Sequence, residues 1–472
     1  MIPESENTSE SYAASPLLAS ALSKVTSSVK GRSSRRGIVR AALTITALTA
    51  VVRLASVGKE LIVASRFGTS DDLDAFLISL LVPIALVSIV SGSFNASFIP
   101  VYIQVREELG KEAARLLFQR ALGWGLVLLV LAAGAIIVAG PFYLPLIGLG
   151  FSSAKLQLTF SLLLRNVPVV ILGGLGALLA AGLNAERRFA IPAITPFATP
   201  AMTILFLWIA PSWRSIALTW GLISGATLEL IIFSIALKLR GFSIRPRWHR
   251  VDPNLKRVAS QFLPAMSGSI LTSGNYVVDQ AMAAMLSAGS VAALTYGNRM
   301  VQLPLTLAAT ALGTAFLPYL SELVAHQRWR ELRAFVDRGL VLVGLVSLPL
   351  ALALFLFSEP LVRVLFGRGA FTANDVKLVG RVQSFYALQI PFYLVSILVV
   401  RLISAVQRNR LLLWASAINL IINVTLNYVL MRWIGVAGIA LSTTLVYIFS
   451  SGYCYIAIMR QVSRRSSVDG KC

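Results

Sequence analysis

Several ionisable residues sit inside long apolar runs of this chain, and each needs a physical reason to be there. Arg53, Lys59 and Glu60 lie in the first run and Asp74 opens the second. Arg165, Glu229, Asp279 and Arg299 lie in later runs, with Arg381 and Arg401 nearer the ends of another. A charge at the centre of a membrane helix costs roughly 2.5–3.5 kcal/mol on insertion scales. Two arrangements would offset that cost. In one, the charges pair internally: Lys59 with Glu60 or Asp74, and Arg299 with Asp279, while Arg401 reaches the surface along its own stem. In the other, Arg53, Lys59 and Arg299 line a water-filled cavity that attracts an anionic head group. A diphosphate suits such a cavity, because guanidinium presents a rigid fork of donors to phosphate oxygens.

Other chemistry is sparse. The chain has no Gly-rich loop ending in Gly-Lys-Ser/Thr that would cradle a nucleotide. Cys454 lies in an apolar run and Cys472 is the last residue, so neither a disulfide framework nor a metal cluster is expected. His249 and His326 lie in basic loops and read as solvated side chains. The stretch Asp71-Asp72-Leu73-Asp74 contains a D-x-D, the pattern with which some membrane glycosyltransferases hold a metal. The simpler reading places these acids at the positive end of the helix that follows, as its N-cap. Prolines recur inside the apolar runs. Pro83 and Pro304 occupy matching places, either as static kinks or as hinges for gating, since each removes a backbone hydrogen bond.

The elements that must position these groups are helices. Hydrophobic residues make up 57% of the 472-residue chain and charged residues only 13%, about half the usual share for a soluble domain. A membrane span takes about 20 apolar residues. Runs of that size fall near 41–65, 74–103, 117–140, 156–183, 190–210 and 215–237, and again near 258–285, 289–318, 335–357, 376–404, 411–431 and 435–459. The fold class is therefore an all-α polytopic membrane protein with about twelve transmembrane helices. The net charge of +22 falls in short blocks between alternate runs, such as Arg187-Arg188, Arg245 to Arg257, and Arg328 to Arg333. That alternation is the positive-inside pattern; it sets nucleic-acid binding aside and places both termini in the cytoplasm. The basic linker is expected to lie on the inner membrane surface, attracted by anionic lipid. The expected organisation is a polar basic tail over 1–40, six helices over 41–240, a cytoplasmic linker over 241–257, six helices over 258–460 and a second tail over 461–472.

The two halves repeat one another. Gly68 matches Gly289, Pro83 matches Pro304, ASFIPVY at 96–102 matches TAFLPYL at 314–320, and LIGLGF ending at Phe151 matches LFGRGAF ending at Phe371. LNAERRF at 183–189 more loosely matches SAVQRNR at 404–410, all at offsets of about 220 residues. Repeats with an even number of helices share topology, so the fold is expected to be two pseudo-symmetric six-helix lobes about an axis along the membrane normal. The path for a substrate then lies between the lobes.

The segment RLASVGKELIVASRFGTSDDLDAF at 53–76, followed by Pro83 and SFIPVY at 97–102, resembles the opening of the MurJ/MviN-like lipid II flippases. GLNAERRFAIPAITP at 182–196 is similar to their turn between the fourth and fifth helices. GSVAALTYGNRMVQLPLTLAATALGTAFLPYLS at 289–321 and LVRVLFGRGAFTANDV at 361–376 resemble their eighth helix and the turn before their tenth. The wider superfamily includes polysaccharide flippases and multidrug exporters. The resemblance implies alternating access by two lobes without ATP, and no catalysis, cofactor or metal. It implies a polyprenyl-diphosphate-linked sugar as substrate, with membrane lipids as the other partners, in the bacterial inner membrane; a monomer is expected because twelve helices in one chain are enough for a transporter. It also implies that Arg53, Asp74 and Arg299 occupy cavity positions used by the family, and that Lys59 stands where the family usually has Arg. The sequence departs from the family at Val87 and Ser88, where a basic residue is usual, at Asn298 and Gln302, where acids are usual, and at Pro200, near a usual Asn. Two further C-terminal helices of the family have no counterpart. An exopolysaccharide or capsule repeat-unit flippase is the main alternative, a cation-coupled drug exporter a weaker one, and a membrane glycosyltransferase rests on the D-x-D alone.

Overall fold

The computed structural model describes residues 32–248 and 253–468. Most of the expected first tail, part of the linker and the end of the second tail lie outside them. The first helix, Arg32–Phe67, opens inside the segment read as a tail. Every predicted run falls in a helix. The second and third runs share Asp71–Ile147, which breaks at Gly110, where φ is 87° and ψ 175°. Among the described residues, eight helices are long and apolar enough to cross a membrane by length and composition. Exposed tryptophans mark two levels: Trp208, Trp213 and Trp433 near one set of helix ends, Trp124, Trp248 and Trp414 near the other. Amphipathic indoles of this kind sit at membrane–water interfaces. The side carrying the basic turns is called inner below.

The repeat is visible in the backbone. The fourth span is Ser153–Asn166 continued by Pro168–Ala185, and the tenth is Ala373–Ala387 continued by Gln389–Ala405. Starts (373 − 153) and ends (405 − 185) are both displaced by 220 residues. Both spans break in mid-course, one at Val167 directly before Pro168 and the other at Leu388, three residues before Pro391, as expected where a ring replaces an N–H. The turns that follow share left-handed residues at the same displacement, Arg187 (φ 58°) and Gln407 (φ 61°).

The lobes meet unequally. The seventh span, Pro253–Ala284, runs along the second: Arg257 donates to Gln104 (3.0 Å) near the inner end and Ser93 to Ser269 (3.3 Å) at mid-depth. Leu255 and Val258 are buried among Phe98, Val101, Tyr102 and Phe118 of the N-terminal lobe. The first span and the eighth, Ser290–Ala325, face one another through Glu60 and Arg299. A second apolar cluster closes the outer end and draws on both lobes: Val63, Phe67, Leu73 and Phe76 pack with Ala292, Tyr296, Phe366 and Phe371.

Candidate functional site

The outer turns are joined by polar contacts of high density. Asp74 has 1% of its surface exposed. One carboxylate oxygen accepts the backbone N–H of Gly289 (2.8 Å), the other that of Ala292 (2.9 Å). An acid of the N-terminal lobe thus caps the first turn of the eighth span, where unpaired N–H groups and the positive end of the helix dipole favour a negative charge. The acidic stretch does lie in the first turn of its own helix, as the simpler reading has it, but the N-cap there is Ser70 and Asp74 caps the facing helix instead. Lys155, from the start of the fourth span, completes the group with an ammonium 3.0 Å from Asp74 and in contact with Asp71. Gly68 (φ 55°) and Gly289 (φ 84°) are the paired glycines of the repeat, and both press on the opposite lobe. A Cβ would lie 2.5 Å from the Ala370 carbonyl at Gly68 and 2.4 Å from the Thr69 carbonyl at Gly289, so only glycine fits. The Ala370 N–H donates to the Ser65 carbonyl (2.7 Å), and the Thr69 hydroxyl donates to Asp375.

Below this closure lies a looser charged group. Glu60 is paired with its neighbour Lys59 at 2.9 Å and faces Arg299 of the eighth span at 3.6 Å. Glu60 is 14% exposed and Arg299 54%. Both stand at similar depth, roughly 10 and 14 Å from the outer helix ends at 1.5 Å per residue. Arg53 is exposed seven residues before Glu60, hence on the same helix face about two turns further inward. Lys59 and Arg299 therefore share one carboxylate, with Arg53 two turns inward on the same helix face, whereas Asp74 belongs to the closed outer end. Pro83 is buried and Pro304 half-buried, both inside continuous helices.

One pairing read from the sequence needs correction, while that of Lys59 with Glu60 is present. Arg299 turns to Glu60 and not to Asp279. Asp279, 8% exposed, accepts from the amides of Asn423 (3.0 Å) and Asn427 (2.7 Å) of the eleventh span. Those asparagines were missed, although Asn419, Asn423 and Asn427 recur every four residues and so mark one polar stripe on a helix. Lys155 was read as an ordinary outer charge, and only the fold reveals its place beside Asp74. Asp72 pairs with Arg214 at 2.7 Å, off-line for a hydrogen bond.

The family model described as "Lipid II flippase MurJ" matches residues 63–468. The chain belongs to the lipid II flippase MurJ family. It is 28% identical over 423 residues to the lipid II flippase MurJ of Burkholderia cenocepacia, covering 86% of this chain and 80% of that protein. It is 29% identical over 366 residues to a probable lipid II flippase MurJ of Rhizobium tropici, covering 75% and 68%. Among solved structures, one titled as lipid II flippase MurJ in an inward closed conformation superposes with a TM-score of 0.77 at 21% identity over 90% of each chain. An inward-facing multidrug resistance MATE family transporter gives 0.74 at 10% identity, over 90% of this chain and 99% of that one. An outward-facing MATE family transporter gives 0.59 at 13% identity, over 90% and 96%. These likenesses establish the fold of this MurJ family member, a multi-pass membrane protein.

Proposed function

We propose that this protein moves lipid II across the bacterial inner membrane by alternating access, as a monomer with both termini in the cytoplasm. The observation that carries the reading is Glu60 shared between Lys59 and, from the other lobe, Arg299, beneath a closed outer end and with exposed Arg53 two helical turns inward on the same face. A diphosphate entering from the inner side would exchange with Glu60 for Arg299 and meet Lys59 and Arg53 on the facing helix. The polyprenyl tail would remain in the bilayer, since burying it in protein would gain nothing over lipid. Neutralising the cations removes repulsion between the lobes and lets the group around Asp74 open, after which the head group leaves on the outer side. Pro83 and Pro304 would let the second and eighth spans bend during that change.

The D-x-D is poorly placed for metal-dependent glycosyl transfer. Both oxygens of Asp74 are engaged by N–H groups and Lys155, and Asp72 is held by Arg214. A related polyprenyl-linked glycan is favoured as an alternative substrate by the neutral residues at Val87, Asn298 and Gln302.

The test is outer-face exposure of lipid II in bacteria depleted of their own flippase and supplied with this protein or its Arg299→Ala variant. Exposure restored by the wild type and not by the variant supports lipid II transport through these cations. Full exposure with Arg299→Ala at normal membrane levels would sink the mechanism. No exposure with the wild type present in the membrane would transfer the assignment to another polyprenyl-linked glycan.

A further inference from the structure

Beside the ion pair of Glu60 and Arg299 stands an aromatic ring that the charges alone do not explain. Tyr276, on the seventh span, lies roughly 12 Å from the outer end of its helix, level with both members of the pair. It follows Ser269 by seven residues, and Ser269 meets Ser93 of the second span. Two helical turns separate them, so Tyr276 lies on the face that the seventh span turns to the N-terminal lobe. Its hydroxyl is within electrostatic reach of both Glu60 and Arg299. The first, seventh and eighth spans thus bring side chains to one level. The hydroxyl is also seated against Gln280, whose amide donates to Thr295 of the eighth span (3.3 Å), and both of those residues are buried. Yet 44% of the Tyr276 surface is exposed, and with the hydroxyl seated most of that surface is ring.

We propose that Tyr276 recognises the first sugar of the carrier by stacking its ring against the C–H face of a pyranose. The inference rests on the reading that Lys59 and Arg299 take the diphosphate. A sugar esterified to that diphosphate must lie beside the cations that hold it, and Tyr276 stands at that place. A pyranose carries hydroxyls around its rim and C–H groups on its faces. The face of an aromatic ring is the negative part of its quadrupole and attracts weakly positive C–H groups. A ring whose hydroxyl is already seated loses little freedom when the sugar arrives. Such a platform reads the presence of a sugar and not the pattern of its hydroxyls. It lets the protein favour a loaded carrier over the bare polyprenyl diphosphate, which has the same anionic group and competes for the same cations.

Calorimetric titration of the full chain, in a detergent without sugar groups, tests it with two probes: farnesyl diphosphate and N-acetylglucosaminyl farnesyl diphosphate. Tyr276→Ala should weaken the sugar-bearing probe by about five-fold and leave the bare probe within about two-fold of wild type. Tyr276→Phe, which keeps the ring, should bind both probes as wild type does. Tyr276→Leu keeps the bulk without the flat face and should repeat the sugar-specific loss, which serves if Tyr276→Ala does not fold. An equal loss of both probes, or no loss of the sugar-bearing one, would overturn the proposal. So would a loss in Tyr276→Phe as large as that in Tyr276→Ala, because recognition would then belong to the hydroxyl. Arg299→Ala should weaken both probes. If it does while Tyr276→Ala is blind to the sugar, only the stacking fails; if Arg299→Ala changes neither probe, the diphosphate reading fails and this inference with it.

Discussion

Asp74 and Glu60 are acids of the N-terminal lobe that both reach across to the eighth span, yet their surroundings differ. Asp74 is sealed, with both oxygens engaged by backbone N–H groups and an ammonium at ordinary hydrogen-bond distances. Glu60 is half-open, held firmly only by Lys59 and loosely by an Arg299 that is more than half exposed. A buried charge with all partners in place is a fixed joint, because losing one partner strands the others away from water. A charge shared between half-solvated cations is exchangeable, because water and salt screen each pair. The contrast separates a closure that must hold from a site whose counter-ion must be replaced.

The largest effect is expected from breaking the fixed joint. Asp74→Ala leaves the Lys155 ammonium with the exposed Asp71 alone and uncaps the eighth span, a loss of up to about 3–5 kcal/mol by analogy with other buried pairs. With spin labels on exposed Ser153 and Asn374, at matching starts of the fourth and tenth spans, the distance between the outer ends should shift from a short to a longer population. An unchanged distance distribution in a folded Asp74→Ala protein would show that apolar packing alone closes the outer end. Gly289→Ala attacks the same joint by shape. With φ at 84° and the Thr69 carbonyl in the way, it should lengthen the same distance in a smaller fraction of molecules, at a cost of about 1–2 kcal/mol.

How much of this contrast was legible in the sequence follows from what a sequence encodes locally. Span positions, the 220-residue repeat and the glycine pair Gly68 and Gly289 could be read, because hydrophobic length, periodicity and turn chemistry act within a few residues. That Arg299 would face the first helix was also approachable, because symmetry pairs the opening helices of the two lobes. Partner identity was not. Asp74 meets Gly289, Asp279 meets Asn427 and Arg299 meets Glu60 across 148 to about 240 positions of chain. Sequence gives the depth of a residue in a span but not the rotation of one lobe against the other. Arg299 was therefore assigned to the nearest acid along the chain rather than to the one across the path.

The exchangeable site should respond in the opposite sense to the fixed one. Glu60→Gln removes the carboxylate that competes for Arg299 while keeping its shape, so inorganic diphosphate should bind about two- to five-fold more tightly, as for a partly exposed ion pair. The gain should shrink as salt rises, because screening weakens the attraction between the cations and the ligand. Calorimetric titration reads both. Weaker binding would instead mean that Glu60 positions the cations, making it part of the site and not its competitor.

The smallest effect is expected at Asp72, and that smallness is informative. Asp72 is two residues from Asp74 and carries the same charge, but its partner Arg214 is 73% exposed at the membrane surface. Exposed ion pairs contribute about 0–1 kcal/mol, since the Coulomb gain in water is small and two flexible side chains must be held still. Asp72→Asn should therefore leave outer-face exposure of lipid II within about two-fold of wild type and the outer distance unchanged. A metal-binding D-x-D makes the contrary prediction, because it needs both acids, and loss of Asp72 would then abolish function as completely as loss of Asp74. Because Asp72 and Asp74 share one helical turn, unequal responses to their loss would follow from burial and partners and not from sequence position.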